Sequence, residues 1–569
     1  MPESHDVGRD TAPSFDLTTR PWVEVLRLDG TQEVLSLREV FAQAAGLRRL
    51  VGDLPTQEFA LLRLLLAVAH DALEGPQDIE DWSDLWSDPE CFAPVGAYLD
   101  AHRGRFDLLH TEAPFFQTAG LRTEKDEVFP LHRIVADVPN GEPFFTARLP
   151  TVERLSFAEA ARWVVHAHAY DTSGIKTGPV GDVRAKGGRT YPSADLGEGW
   201  LGKLGAVYVE GQNLRETLLL NLIAWDTDCL RVEQNDKPAW RRDPCGPGGE
   251  VRNPTGLRDL YTWQSRRIRL HYDDVAVIGV VLGYGDPLEI VNRFDREPMT
   301  SWKRSHAAEK ELRRSPVYKP LRHDHSRAAW RGLDAMLVGR SSRTTESEPS
   351  HVLRPVVMEW VARLVAEGEL RRGHLISACT IGMAYDPPWA KKPAKSSFFD
   401  VHEDRVSMAV VLLDREEPCY ARTAMDAAKD SERAVQALTD LAANLKRATG
   451  SEYGGACTAA SALGFAALDG PYRSWLSSLT KLGDPEEQRS HWQREVHRIV
   501  GRLGDRLIAE AGDAAWQGRI VELKKRTEWL NATLARLWFR RALDECLAHP
   551  LLSADQPPGA EAAPAPITS

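Results

Sequence analysis

The chain has 569 residues, more than one hydrophobic core ordinarily serves, so at least two domains are expected. Its formal net charge of -11 excludes a protein that coats nucleic acid over its whole surface, but leaves room for a local basic contact within a Debye length. The seven cysteines show no CxxC or Cys/His spacing suited to zinc, so reduced thiols, no structural metal and no cofactor are expected.

Residues 1–13, MPESHDVGRDTAP, read as a disordered polar tail without the apolar core of a signal peptide. No stretch reaches the roughly 18 uncharged apolar residues of a membrane span, so a cytoplasmic protein without membrane contact is expected. Val23 to Leu28 predicts a strand, and Phe59 to Ala69 a helix whose apolar stripe is Leu61, Leu62, Leu65 and Leu66. Further strands are predicted near Gly205 to Val209 and over Val275 to Leu282, and Asp243 to Gly249 reads as an internal loop. Residues 14–413 are thus expected to form an α+β domain. After about Asp414 the pattern turns helical: Val435, Leu438, Leu441 and Leu445, then Trp492, Val496, Ile499, Val500, Leu503 and Leu507, then Leu523, Leu530, Leu534, Leu537 and Trp538. This predicts a four-helix-like bundle over 414–553, and residues 554–569 hold too little large apolar surface to order.

The most informative stretch is Thr172 to Arg189, TSGIKTGPVGDVRAKGGR, with five glycines and four Lys/Arg side chains. Glycines allow backbone to approach a ligand where a Cβ would collide, and Lys176, Arg184, Lys186 and Arg189 favour an anion. A phosphate or a DNA groove is the natural candidate; a basic surface loop is the plain alternative. The loop follows Pro143-Phe144-Phe145-Thr146-Ala147-Arg148 and precedes the strand-like Gly205 to Gly211 and the apolar Leu214 to Leu222.

That order resembles the CasA family, the large subunit of the type I-E CRISPR surveillance complex Cascade. Supporting pieces are Ser14-Phe15-Asp16-Leu17 with Arg20 to Val25, the helix Gln57 to His70, the turn Ala113-Pro114-Phe115-Phe116-Gln117-Thr118, and Gly256 to Gln264 with its Trp263-Gln264 pair. The resemblance implies a non-catalytic subunit that recognises the protospacer-adjacent motif (PAM) of double-stranded DNA through the minor groove. There the donor and acceptor pattern is degenerate, so several sequences are tolerated. It further implies that the subunit starts duplex opening for R-loop formation, that its helical bundle helps hold the displaced strands, and that it recruits the helicase-nuclease in antiviral defence. Its partners would be the crRNA-bound Cascade subunits, target DNA and that effector.

Residue by residue, the family's glycine loop falls on Ser173, Gly174, Ile175, Lys176, Thr177 and Gly178, with Lys176 expected to reach a phosphate or enter the groove. Phe144, Phe145, Thr146 and Arg148 fall where the family has a loop near the guide RNA and the PAM; a buried Phe pair is the alternative. The family's strand-separating wedge falls on Asp386, Pro387, Pro388, Trp389, Ala390, Lys391 and Lys392, although the glutamine found at the tip in some members is absent. The family's lysine finger has no counterpart in Leu282 to Pro287, and Arg293 and Arg296 are weak substitutes.

Other patterns are set aside. Gly197-Glu198-Gly199-Trp200-Leu201-Gly202 fits GxGxxG, but a strand follows where a dinucleotide fold requires a helix. His323-Asp324-His325 sits among Lys319, Arg322, Arg327 and Arg331, which would repel a cation, so a basic surface is expected there. A freestanding small-molecule enzyme and a purely architectural subunit are the alternative functions. An enzyme would converge titratable groups in a deep pocket, a DNA reader glycine backbone and basic side chains on an open ridge.

Overall fold

In the computed structural model of the chain, residues 13–136, 152–193, 195–339, 351–386, 397–479, 484–523 and 526–547 are described. Alternating apolar and polar residues set strand β1 (Val23–Arg27), which pairs antiparallel with β2 (Gln32–Leu35) and β3 (Leu47–Leu50). A capping box of Ser36 and Glu39 starts helix α1 (Leu37–Ala42) between the last two. Helices α2 (Pro55–Ala72), α3 (Ile79–Ser87), α4 (Ala93–Ala101) and α5 (Phe157–Tyr170) follow, then the short strands β4 (Lys176–Thr177) and β5 (Arg189–Thr190). Next come β6 (Ala206–Glu210), α6 (Leu214–Leu220), α7 (Leu257–Tyr261), β7 (Arg266–Tyr272) and β8 (Val277–Tyr284). The chain continues through β9 (Trp302–Arg304), α8 (His306–Leu312), β10 (Tyr318–Pro320), α9 (Asp334–Leu337), β11 (Val352–Leu353) and α10 (Val356–Ala366) to the long strands β12 (Leu375–Tyr385) and β13 (Phe398–Ala409).

Two compact units result, the first comprising Met1–Ala329, Ala335–Arg371 and Leu375–Val406. It is α+β, with three-stranded sheets β2-β1-β3, β10-β9-β11 and β13-β12-β6 and a four-stranded sheet β5-β4-β8-β7. In the last, β4 runs parallel to β8 and the other pairs are antiparallel. Helix α2 is buried from Thr56 to Asp71 on every side, not along the one stripe its leucines suggest, because α4, α5, α7 and β12 surround it. Its polar residues therefore need internal partners. Arg63 Nη1 donates to both Glu297 oxygens at 3.0 Å, and Asp71 accepts from Arg241 and Arg258 at 3.0 and 2.9 Å.

The second unit comprises Trp330–Asp334, Arg372–His374 and Ser407–Ser569. Helix α11 (Cys419–Thr449) packs against α12 (Gly454–Ser478), α13 (Pro485–Ala509) and α15 (Ala532–Cys546), with the one-turn α14 (Asp513–Gln517) between the last two in sequence. Val435, Leu438, Leu441, Leu468, Tyr472, Trp492, Val496, Phe539 and Leu543 fill the bundle. Polar pins set the helix pairing: Asp430 on α11, fully buried, accepts from Arg489 and Gln493 of α13, and Tyr472 of α12 donates to the Ala424 carbonyl at 2.7 Å.

The last predicted helical stripe is corrected. Leu523 and Leu530 lie on a β-hairpin, β14 (Arg519–Leu523) and β15 (Arg526–Leu530), inserted into the bundle. The β-branched and aromatic run Ile520, Val521, Thr527 and Trp529 favours strands, and Gly518 at φ +71° turns the chain out of α14. Asn531 then caps α15, whose buried positions are Ala532, Ala535, Phe539 and Leu543, leaving Leu537 exposed.

Glu58, buried at the start of α2, faces Arg49, Arg405, Glu403 and Glu210, and burial pushes its carboxyl up to about 7. A carboxyl raised on folding stabilises the fold at low pH and loses that contribution as pH climbs through the window from its unfolded value to about 7. Glu58→Gln is therefore expected to match the parent near pH 4 and to exceed its stability by roughly 1–3 kcal/mol at pH 8, read from thermal unfolding at both pH values. In the bundle, a Cβ at Gly504 would stand 2.2 Å from the buried Phe539 ring. Gly504→Ala is expected to cost about 1–3 kcal/mol, measured by urea unfolding of the same chain.

Candidate nucleic-acid interface

The glycine-rich segment is rooted at the end of α5, whose C-cap is Asp171. A carboxylate there meets the negative end of the helix dipole, so it needs a cation. It holds two. Lys176 Nζ lies 2.7 Å from Oδ2, and the Arg266 guanidinium of β7 donates to the same oxygen through Nε. Arg266 Nη2 also reaches the carbonyls of Asp171, Thr172 and Gly197 at 3.0, 3.2 and 2.8 Å, and the guanidinium stacks 4.9 Å over the Tyr284 ring. One side chain thus ties the start of the segment to the backbone at Gly197, past its end. Burial alone would raise the Asp171 carboxyl, but the Lys176 and Arg266 charges override it and hold it below the usual aspartate range. Burial pulls Lys176 below the usual lysine range, with Asp171 opposing this and Arg266 adding to it.

Of the predicted loop residues, Ser173 is buried, Gly174 takes φ +109° and its carbonyl accepts from Tyr284 OH at 2.7 Å, and Ile175 points outward at 57% exposure. Lys176 and Thr177 form β4, pairing with Thr190 and Arg189 of β5, and Thr177 also pairs with Gly283 of β8. Arg133 donates to Thr177 Oγ1 at 3.0 Å. Gly178 donates to the Gly188 carbonyl, and a Cβ there would sit 2.6 Å from Ala185 Cβ and 2.9 Å from the Arg189 nitrogen. The structure therefore brings Ser173 to Gly178 together along β4, between β5 and β8.

It also corrects the role expected of Lys176. Its ammonium turns inward to Asp171 and does not project toward a ligand, because the buried carboxylate at the end of α5 claims it. Arg184 is likewise internal, bound to Asp182 and donating to the Tyr284 and Gly285 carbonyls at 2.7 and 2.9 Å. Only Lys186 and Arg189 of the four basic residues stand exposed.

Phe144, Phe145, Thr146 and Arg148 lie outside the described residues, as do Pro387, Pro388, Trp389, Ala390, Lys391 and Lys392 of the predicted wedge. Asp386 is described. At φ +60° it follows β12, its nitrogen donates to the Ser397 carbonyl at 3.0 Å, and its Oδ1 accepts from Ser397 Oγ at 3.0 Å, closing the root of the β12–β13 hairpin. Arg296 is buried and donates to the Pro254 carbonyl, while Arg293 pairs with Glu289, so neither projects as a finger.

His323 stacks on His402 with ring centroids 4.9 Å apart and donates through Nε2 to the Ala206 carbonyl at 2.8 Å; burial pulls it down to about 4. Lys319, Arg322 and Arg327 around it are exposed. Among the described residues no three His, Cys, Asp or Glu are placed to hold a metal ion, and no helix is long and apolar enough to cross a membrane. The GxGxxG match has a packing reason: a Cβ at Gly199 would collide with the Ala169 carbonyl at the end of α5, 2.4 Å away.

The residues that hold the loop, Asp171, Arg266 and Tyr284, were missed by motif reasoning. One local signal existed, an acid directly after the run Phe157–Tyr170 that forms α5, where only a cation partner makes it favourable. Which cation it meets depends on β7, almost a hundred positions away, and no local pattern reports that.

A model of the family described as CRISPR-associated protein Cse1 matches residues 16–503. The chain is similar to Cse1 of Thermobifida fusca, seen in a crystal structure, with 51% identity and a TM-score of 0.86 over 95% of this chain and 99% of that one. It is 31% identical over 334 residues to the CRISPR-associated protein CasA/Cse1 of Thermus thermophilus, covering 57% of this chain and 60% of that protein, less than two thirds of its length. A chain of a CRISPR RNA-guided surveillance complex has a TM-score of 0.63 at 20% identity over 87% of this chain and 99% of that one, a likeness of fold alone.

Replacing Asp171 by alanine would leave two buried cations without their carboxylate. Asp171→Ala is expected to cost about 3–5 kcal/mol, and Lys176→Met less, since Arg266 keeps its partner; chemical denaturation of both variants checks the order.

Proposed function

The chain belongs to the CRISPR-associated Cse1 family, and from that premise we propose that it is the non-catalytic large subunit of an RNA-guided surveillance complex that recognises the PAM of duplex DNA from the minor groove. In this reading residues 14–413 form the DNA-recognition part and 414–553 the bundle that helps hold the displaced strands. The observation that carries it is the rigid display of Ser173–Gly178: Tyr284 holds the Gly174 carbonyl, Arg266 holds the loop's root, and the lysine is withdrawn. A reader that offers backbone and a small apolar side chain suits a groove whose hydrogen-bond pattern is degenerate.

Asp386, tied to Ser397 between β12 and β13, opens the segment Asp386 to Lys392, to which the reading assigns strand separation once the PAM is engaged. Unstacking one step costs a few kcal/mol, and guide pairing then exchanges DNA duplex for RNA–DNA hybrid at nearly balanced energy. Sequence fidelity rests on the guide RNA, and recruitment of the helicase-nuclease follows completion of the R-loop.

The test is target-duplex binding by the surveillance complex assembled with this chain, across a library of sequences flanking the target. Gly174→Val, which forces a β-branched residue to φ +109°, is expected to reduce the preference between favoured and disfavoured flanks at least about tenfold. An unchanged flank profile in that variant would remove the loop from PAM recognition.

A further inference from the structure

The segment that follows the loop forms an outward strip of its own. Lys186-Gly187-Gly188-Arg189 is a tight hairpin: the Lys186 nitrogen donates to the Arg189 carbonyl at 2.8 Å, the Arg189 nitrogen to the Lys186 carbonyl at 3.3 Å, and Gly187 and Gly188 take φ +56° and +70°. Positive φ at both central residues is the turn geometry whose twist matches the flanking strands, and only glycines and a few polar residues adopt it freely. The turn fixes Lys186 and Arg189 directly opposite each other. Both are exposed, and among the described residues neither has a carboxylate within ion-pair distance. Like charges held opposite across a hairpin repel, a cost that an anion placed between them would remove.

Ile175 and Tyr191 directly flank the paired residues Lys176 and Thr190 and both stand outward, whereas Thr177 opposite Arg189 is buried against β8 and Arg133. Ile175 is 57% and Tyr191 50% exposed. An aromatic ring and a branched aliphatic stand beside two unneutralised cations on a rigid edge, in a chain whose net charge is -11. Basic side chains interleaved with an aromatic match a nucleic-acid backbone, where cations meet phosphates and the ring meets sugar or base faces.

We propose that Lys186, Arg189 and Tyr191 form a sequence-independent clamp on the duplex beside the Ser173–Gly178 loop, the two cations on backbone phosphates and the Tyr191 ring on an adjoining sugar. This rests on the DNA-recognition reading above and adds Tyr191 as an anchor. The clamp sets affinity and register; the glycine loop sets preference among flanks.

The experiment measures duplex affinity of the assembled surveillance complex against salt concentration. Each neutralised phosphate contributes about 0.9 to the slope of log K against log salt, so the double variant Lys186→Gln/Arg189→Gln is expected to lower the slope by about 2. Tyr191→Ala is expected to weaken binding about tenfold at unchanged slope, with Tyr191→Phe close to the parent. The double variant and Tyr191→Ala each lose similar affinity on favoured and disfavoured flanks. An unchanged slope in the double variant, or full affinity in Tyr191→Ala, overturns the clamp. So does a variant chain that keeps its thermal unfolding midpoint but no longer joins the complex, which would make the strip a protein contact. Gly174→Val separates the two ideas: loss of flank preference there with silent strip variants sinks the clamp alone, whereas silence in both sinks the DNA-recognition reading as well.

Discussion

One carboxylate carries the geometry of the whole candidate interface. Asp171 ends α5 and is shared by Lys176, five residues on, and Arg266 on β7, so helix, loop and sheet are tied at a single buried point. Taking three ionised groups out of water is costly unless each finds partners, and here the carbonyls of Asp171, Thr172 and Gly197 complete the shell of Arg266. The consequence is directional: with the ammonium of Lys176 committed inside, the outer side of the same strand pair falls to Ile175 and Tyr191.

The same device recurs across the chain. Glu297 is held by Arg63 and by Trp200 Nε1, Asp71 by Arg241 and Arg258, Asp286 by Arg267 and Arg252, and in the second unit Asp430 by Arg489 and Gln493. Buried acids that bridge distant segments are weak sources of net stability and strong determinants of which segments pair. They also change how the net charge of -11 bears on the loop, since part of the acidic complement is spent inside and does not oppose an exposed basic strip.

A loop that contacts DNA without a base-reading hydrogen-bond pattern has to be stiff, because a mobile glycine-rich segment would lose its ordering entropy on every binding event. Tyr284 on the Gly174 carbonyl, the packing of Gly178 against Ala185, and the closed turn at Gly187 and Gly188 each remove part of that entropy before a ligand arrives. In the proposed reading, affinity from Lys186 and Arg189 and discrimination from the glycine backbone are tuned separately, because they sit on different residues.

The amino-acid sequence by itself determined the α+β character of the first part, the helical character of the last, the strands near Val23, Ala206 and Val277, and the position of the glycine-rich segment, because hydrophobic periodicity and glycine placement are local signals. It also carried the family resemblance, through the order of short pieces along the chain. Tertiary structure alone decided that α2 is enclosed on all sides, that Leu523 and Leu530 belong to a hairpin and not a helix, and above all that Lys176 points in while Ile175 and Tyr191 point out. Those outcomes depend on partners far away in sequence, such as Arg266 and Tyr284. A lysine beside glycines reads as a phosphate ligand until a buried acid claims it.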